Sequence, residues 1–246
     1  MIATLAGGLL KSTAIFGLTL LGALPLGLLV AFGRMSNWMP FRRLARGALP
    51  VAGERPGFWR RLVFRVRHAL AGFKPVQALV RLYISIMRGT PLMLQLMVVY
   101  FGPNLLLGIS TGPNYRFTAV IVGFVLNYAA YFAEIYRSGI ESMSAGQYEA
   151  AAVLGYGKSQ TFFKIILPQV MKRILPSVTN EVVTLVKDTS LAFAISYSEM
   201  FTLAKKIASS QATLMPFVIA GIFYYIFNFL VAFIMERFEK KMSYYR

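Results

Sequence analysis

Polar and ionisable side chains stand at helical spacing inside otherwise apolar runs of this chain, and they are the residues that could do chemistry. Asn127, Tyr131, Glu134 and Ser138 follow one another at intervals of four, three and four, which places them on one face of a helix. Glu181, Thr184 and Asp188 share a second face with Lys187 beside them, and Thr189 and Ser190 continue that polar run. An ionised group at bilayer depth needs a partner or water, so such faces line a wet cavity, a solute path or a helix interface. Glu134 has a competing structural role, because Arg137 lies three residues on and can pair with it. A Lys187–Asp188 charge network is the structural counterpart on the second face. Asn127 and Tyr131 lie deeper in their run and are candidates for a solute path, with Lys187, Asp188, Thr189 and Ser190. The available chemistry is hydrogen bonding and charge pairing to a polar solute.

Other chemistries lack their residues. Gly157-Lys158-Ser159 suggests a phosphate loop, but that motif needs a glycine where Ala152 stands, and a strand before it. No HExxH occurs, and His68 alone in a basic segment supports neither a nucleophile–histidine–acid arrangement nor a His-rich metal cluster. Without cysteine there are no disulfides and no thiolate metal sites. No catalytic residue and no metal site are expected, and the chain should not hydrolyse ATP by itself.

A second kind of site lies at 144–168, a polar segment between long apolar runs. Ser144 followed three residues on by Gln147 reads as a capping box, so a helix should begin at Ala145. Glu149, Ala150, Ala151 and Ala152 continue it with small side chains, and Gly155 and Gly157 should end it. Ser159 can cap a second short helix, which Pro168 interrupts. An ordinary surface loop fits this pattern. So does a short rod that seats in a partner's groove, since alanines allow close approach.

The elements that position these residues are membrane spans. The chain has 246 residues, 57% of them hydrophobic, which is above the usual fraction for a soluble domain. Several uncharged runs reach the roughly 20 residues that cross a bilayer as a helix. Five spans are expected, at about 12–33, 76–107, 117–136, 177–198 and 212–235, within one transmembrane domain covering 1–246. The first carries Gly17, Gly22, Gly27 and Pro25, small residues that favour close helix packing. It lacks a preceding basic stretch and is too long for a signal-peptide core. In the second, Thr90-Pro91 predicts a kink or restart, and Gly102-Pro103-Asn104 should fray the far end. The fourth is the least apolar, and its polarity requires that it face a pathway or a subunit axis.

The formal charge of +17 would suggest nucleic acid in a soluble protein. Here the basic residues cluster between and after the spans, the pattern of cytoplasmic loops, so no nucleic acid is expected. The counting puts 34–75, 137–176 and 236–246 inside and the amino terminus outside. Lys205 and Lys206 depart mildly from that rule. Within the basic insert, Trp59, Val63, Val66, Leu70 and Phe73 share a face opposite arginines, which suits an interfacial helix on anionic lipid headgroups. Arginines that only fix topology fit the same pattern.

Glu149-Ala150-Ala151, then Gly155, then Ile166-Leu167-Pro168 resembles the EAA loop of ABC importer permeases. Arg88-Gly89-Thr90-Pro91 upstream and Leu185-Val186-Lys187-Asp188-Thr189-Ser190-Leu191 downstream extend the match to the polar amino acid subfamily, over most of 76–240. The resemblance implies an all-α integral membrane protein of the type I ABC importer permease fold, in the bacterial cytoplasmic membrane. It implies that the 144–168 loop carries a coupling helix docking on an ATPase subunit through Glu149, Ala150, Ala151, Gly155 and Pro168. Arg88, Gly89, Thr90 and Pro91 would shape the second span near its cytoplasmic mouth. The implied partners are two ATPase subunits that hold ATP and Mg, a second permease subunit identical or related, and an extracytoplasmic solute-binding protein. The implied cargo is a polar amino acid, carried by alternating access. The basic insert is longer than the family's usual connection, so the resemblance gives no guide to 36–72. The competing class is an ion-coupled secondary transporter with Glu134, Glu181 and Asp188 as its ion sites and no ATPase. A non-transporting membrane scaffold that uses the basic insert is a third.

Overall fold

A computed structural model describes residues 1–41, 59, 62–63, 66–67, 71–112 and 114–242. Among these residues the chain is all-α, with no strand. The expectations for the basic insert fall largely outside the described residues. Helix α1 spans Ile2–Arg34, α2 Pro75–Gly89, α3 Leu92–Leu107 and α4 Tyr115–Glu141. The loop helix α5 is Ala145–Val153. A wide π turn over Thr161–Ile166 leads into α6, Leu167–Asp188, which tightens into a 3-10 turn over Thr189–Ile195. Helices α7, Met200–Gln211, and α8, Met215–Met242, complete the chain.

By length and composition α1, α4 and α8 can each cross a membrane, and α2 with α3 passes the same test as one broken span bent by 111°. The fourth expected span, 177–198, rests on α6, whose many polar residues keep it below that test. Helix α1 outruns the expected 12–33 because a lone Lys11 does not interrupt backbone hydrogen bonding. Its first turns pack Leu5 against Met200, Ala204 and Ala220. The expected span 177–198 is shifted: α-helix begins at Leu167 and ends at Asp188, with Pro176 inside it. The hydroxyls of Thr189 and Ser190 donate to the Val186 and Lys187 carbonyls, each at 2.8 Å, and the turn narrows there. The expected fifth span, 212–235, begins slightly later and runs on into the basic tail, because Ala212 takes a left-handed φ of 46° that ends α7.

Helix α4 is the hub. It packs along α1 and also against α2, α3 and α6. Phe124, Tyr128 and Phe132 on α4 are fully or almost fully buried with Ile15, Leu96, Leu185 and Val186. Two of the glycines in α1 work as expected: a Cβ at Gly22 would lie 2.8 Å from Val125 Cγ2, and one at Gly27 would lie 2.8 Å from Phe132 Cβ. Gly17 has nothing within 4 Å, so it plays no part in that contact. Side chains on α8 such as Val218, Ile222, Phe229 and Phe233 are exposed, as lipid-facing groups of a membrane helix are.

Helix α7 is an element that hydropathy does not reveal. Its N-cap is Glu199, fully buried, whose Oε2 accepts from Phe201 N at 2.6 Å while Oε1 accepts from Thr202 N at 2.7 Å. Tyr224 on α8 donates to the same carboxylate at 3.2 Å. A buried carboxylate persists because oriented N–H and O–H donors surround it.

Candidate functional site

The loop helix is closed at one end by its own backbone. Gly155 has φ 76°; Gly155 N donates to Ala152 O at 3.0 Å and Tyr156 N to Ala151 O at 3.0 Å. This is the Schellman pattern, and it needs a residue free to take positive φ. Gly157, by contrast, has φ −69° and ψ 158°, ordinary extended backbone, so only Gly155 performs the stop. At the other end Ser144 is the N-cap, but no capping box forms. The Gln147 amide instead exchanges hydrogen bonds with Gln169 on α6: Gln147 Nε2 donates at 3.0 Å and Gln169 Nε2 donates back at 2.6 Å. Tertiary pairing has displaced the local cap. Arg173 on α6 holds the start of the loop as well, donating to Ser142 O at 2.6 Å and Ser142 Oγ at 2.8 Å.

Glu149 and Ala150 face outward, whereas Ala151 is 2% exposed and supports the helix from within. Tyr148, Val153 and Leu154 are exposed too, Val153 at 87%. Sequence reasoning passed over these three, although large apolar side chains in a polar loop were a usable signal. Ser159 caps nothing: the short turn at 158–160 follows Gly157, and Pro168 sits in the first turn of α6, where its missing N–H is harmless. It starts a helix and does not interrupt one.

The second cluster lies at the far end of α6. Asp188 accepts a hydrogen bond from Tyr128 Oη at 2.7 Å. Lys187 is exposed and makes no close ion pair with Asp188, although their charges still interact. The Arg88 guanidinium stands 5.3 Å from the centroid of the Tyr131 ring, a cation–π contact. Glu181 lies two turns before Asp188 on the same face, close enough to Arg88 for their charges to interact. Thr189 is buried and Ser190 partly so, each hydroxyl bonded back to the turn described above.

Asn127 stands apart from this group. It is 4% exposed, and its Nδ2 donates to Met87 O at 3.1 Å and to Gln95 Oε1 at 2.9 Å, at the break between α2 and α3. Gly89 and Thr90 lie at that break, with Thr90 in extended backbone and Pro91, also extended, as the N-cap of α3. Far from fraying, α3 runs through Pro103 to Leu107 and ends on Gly108 at φ 64°. Glu134 takes the structural role expected of it. Arg137 donates to it from Nη2 at 2.6 Å and Nε at 3.0 Å, and Arg34 reaches it at 3.5 Å. A carboxylate held by two arginines is a poor ion site, so the ion-coupled alternative is not favoured.

A short exposed helix on a stiff loop is thus bonded to a helix that carries buried polar groups. The chain belongs to the family of binding-protein-dependent transport system inner membrane components, which matches residues 69–244. It is 37% identical over 175 residues to the arginine transport system permease protein ArtQ of Bacillus subtilis (strain 168), covering 71% of this chain and 78% of that protein. It is 39% identical over 172 residues to the L-cystine transport system permease protein TcyL of the same strain, covering 68% and 72%. Among solved structures, an amino acid ABC transporter crystallised with histidines superposes with a TM-score of 0.75 at 25% identity, covering 97% of this chain and 94% of that one. The inward-facing MetNI methionine ABC transporter shares the fold, with a TM-score of 0.61 at 16% identity. The chain is therefore a multi-pass membrane permease subunit that works with ATPase subunits.

Proposed function

We propose that this permease carries a polar amino acid across the bacterial cytoplasmic membrane by alternating access, in a complex with two ATPases, a second permease subunit and an extracytoplasmic solute-binding protein. One observation carries the reading: α6 is bonded to the coupling loop at Gln169 and Arg173 and ends at Asp188. Its 22 residues make one rod of about 33 Å from partner contact to polar cluster. ATP and Mg bind on the partner ATPases. Their closure pushes on Glu149, Ala150 and the apolar Tyr148, Val153 and Leu154, with Ala151, Gly155 and Pro168 keeping the loop's shape. ATP shifts the gate because it binds the two states with different affinity.

At the other end, Asp188 and Lys187 present opposite charges that match the ammonium and carboxylate of an amino acid, with Tyr131, Thr189 and Ser190 beside them. Arg88 to Pro91 shape the mouth of this path, and Asn127 contributes through the break it supports. The amino terminus lies outside, the loop and the carboxyl terminus inside. Names of relatives point to amino acid cargo; arginine and cystine importers are both among them.

The test is uptake into proteoliposomes with the companion ATPase and solute-binding protein. The expected result is amino acid accumulation that requires ATP. Uptake by this chain alone, driven by a proton or sodium gradient, would overturn the proposal.

A further inference from the structure

Proline lacks an N–H, so in a helix it leaves the carbonyl four residues earlier without its donor. In a membrane no water fills that vacancy. At the break α2 ends at Gly89 and Thr90 is extended, so Met87 O in the last turn has no helical N–H to accept from. Two side-chain amides replace it: Gln95 Nε2 at 3.0 Å and Asn127 Nδ2 at 3.1 Å. Gln95 Nε2 also reaches Thr90 O at 3.0 Å and Thr90 Oγ1 at 2.8 Å, and Gln95 Oε1 accepts from Asn127 at 2.9 Å. One residue before Asn127, Leu126 O accepts from Tyr83 Oη on α2 at 2.5 Å, a second tie across the same contact.

A proline inside a helix leaves a second bare carbonyl further along the broken span. Pro103 orphans Val99 O, and Tyr115 at the start of α4 donates to it at 2.8 Å. Proline does not by itself break a helix here, because Pro25 and Pro176 lie inside the continuous α1 and α6. What distinguishes the 111° break is the pair of amides that fills the carbonyls exposed by it.

We propose that Gln95 and Asn127 are positioning residues for transport: they hold the break between α2 and α3 at its angle and so keep Arg88 on Tyr131, facing the Glu181–Asp188 side of α6. The inference rests on the reading above, in which the cargo passes that cluster. Gln95 and Asn127 are 9% and 4% exposed, and the donor atoms of both amides are committed, so they act through Arg88 and not by touching solute.

The experiment is uptake by the reconstituted complex against concentration of whichever of radiolabelled arginine, glutamine or cystine the unaltered complex accumulates. Gln95→Met and Asn127→Leu keep volume and remove the donors. Each is expected to raise the half-saturating concentration roughly fivefold or more. A folded Gln95→Met complex with unaltered half-saturation would overturn the proposal. So would a fall in maximal uptake and thermal midpoint with half-saturation unmoved, because that is the behaviour of a purely structural bond. Arg88→Ala separates the two readings. If it raises half-saturation and Gln95→Met does not, the positioning role fails and the pathway stands. If Arg88→Ala changes nothing, the pathway reading falls and takes the positioning role with it.

Discussion

The coupling loop and the broken span both reverse or bend the chain sharply, but they satisfy their backbone groups by opposite means. After α5, Gly155 at φ 76° lets the helix end bond to itself, through Ala151 and Ala152, in an exposed segment. Between α2 and α3, Thr90-Pro91 leaves carbonyls that the local backbone cannot satisfy. Buried amides from Gln95 and from Asn127 on a different helix complete them. A turn closed by its own backbone can move as a unit when a partner pushes it. A bend completed by a neighbour's side chain is fixed to that neighbour. The lever and the pathway wall are thus built from different kinds of turn.

Substitutions sharpen this contrast. The largest effect is expected at the self-contained turn: Gly155→Trp, or Glu149→Lys on the exposed face, should leave the subunit inserted and assembled but lower ATP-driven uptake on the order of a hundredfold. The measurement is uptake normalised to complex recovered from membranes. Within α3, where a side chain also fills a bare carbonyl, Tyr115→Phe should orphan Val99 O and lower the thermal stability of the complex by about 1–3 kcal/mol. Pro103→Ala in the same chain should return most of that loss. Should the double variant be no more stable than Tyr115→Phe, the proline–carbonyl account of α3 is wrong.

A smaller change is expected at the polar cluster. Asp188→Asn should raise the half-saturating cargo concentration by roughly fivefold, and Tyr128→Phe by less, since it removes one neutral donor. Concentration-dependent uptake reads both. The smallest effect belongs to the tie between lever and rod. Gln147→Ala and Gln169→Ala should each cost about 1 kcal/mol and together little more than either alone, because each amide bonds the other. Additive losses in thermal unfolding would show that the two glutamines act separately.

The same contrast explains what could be read from the chain before its fold. The Ala145 start, the Gly155 stop and the Thr90-Pro91 break depend on local backbone preferences, and residue type reveals them. The Glu134–Arg137 pair was legible as well, being three residues apart on one helix. Gln147 was misjudged because its amide has two possible partners, the nearby Ser144 cap and the distant Gln169, and the tertiary one wins. Asn127 looked like a pathway residue for the same reason: a polar side chain at span depth signals need for a partner, not which partner it finds. The roles of Gln95 and Tyr115 gave no sequence signal, since the carbonyls they fill are bared only by the folded backbone. The α7 helix and its Glu199 cap were hidden because a buried carboxylate reads as exposed until its donors are in place.

The coupling claim has a direct test, helped by a chain that contains no cysteine. Leu154, 73% exposed on the loop, is replaced by cysteine in membranes that hold the assembled complex with a single-cysteine ATPase, and disulfide cross-linking is followed by gel shift. Lys206→Cys on α7 serves as the control at the far side. A cross-link from Leu154→Cys that changes with added ATP, and none from Lys206→Cys, is the predicted result. Labelling of Leu154→Cys in intact cells by a membrane-impermeant maleimide, with no cross-link to the ATPase, would contradict it.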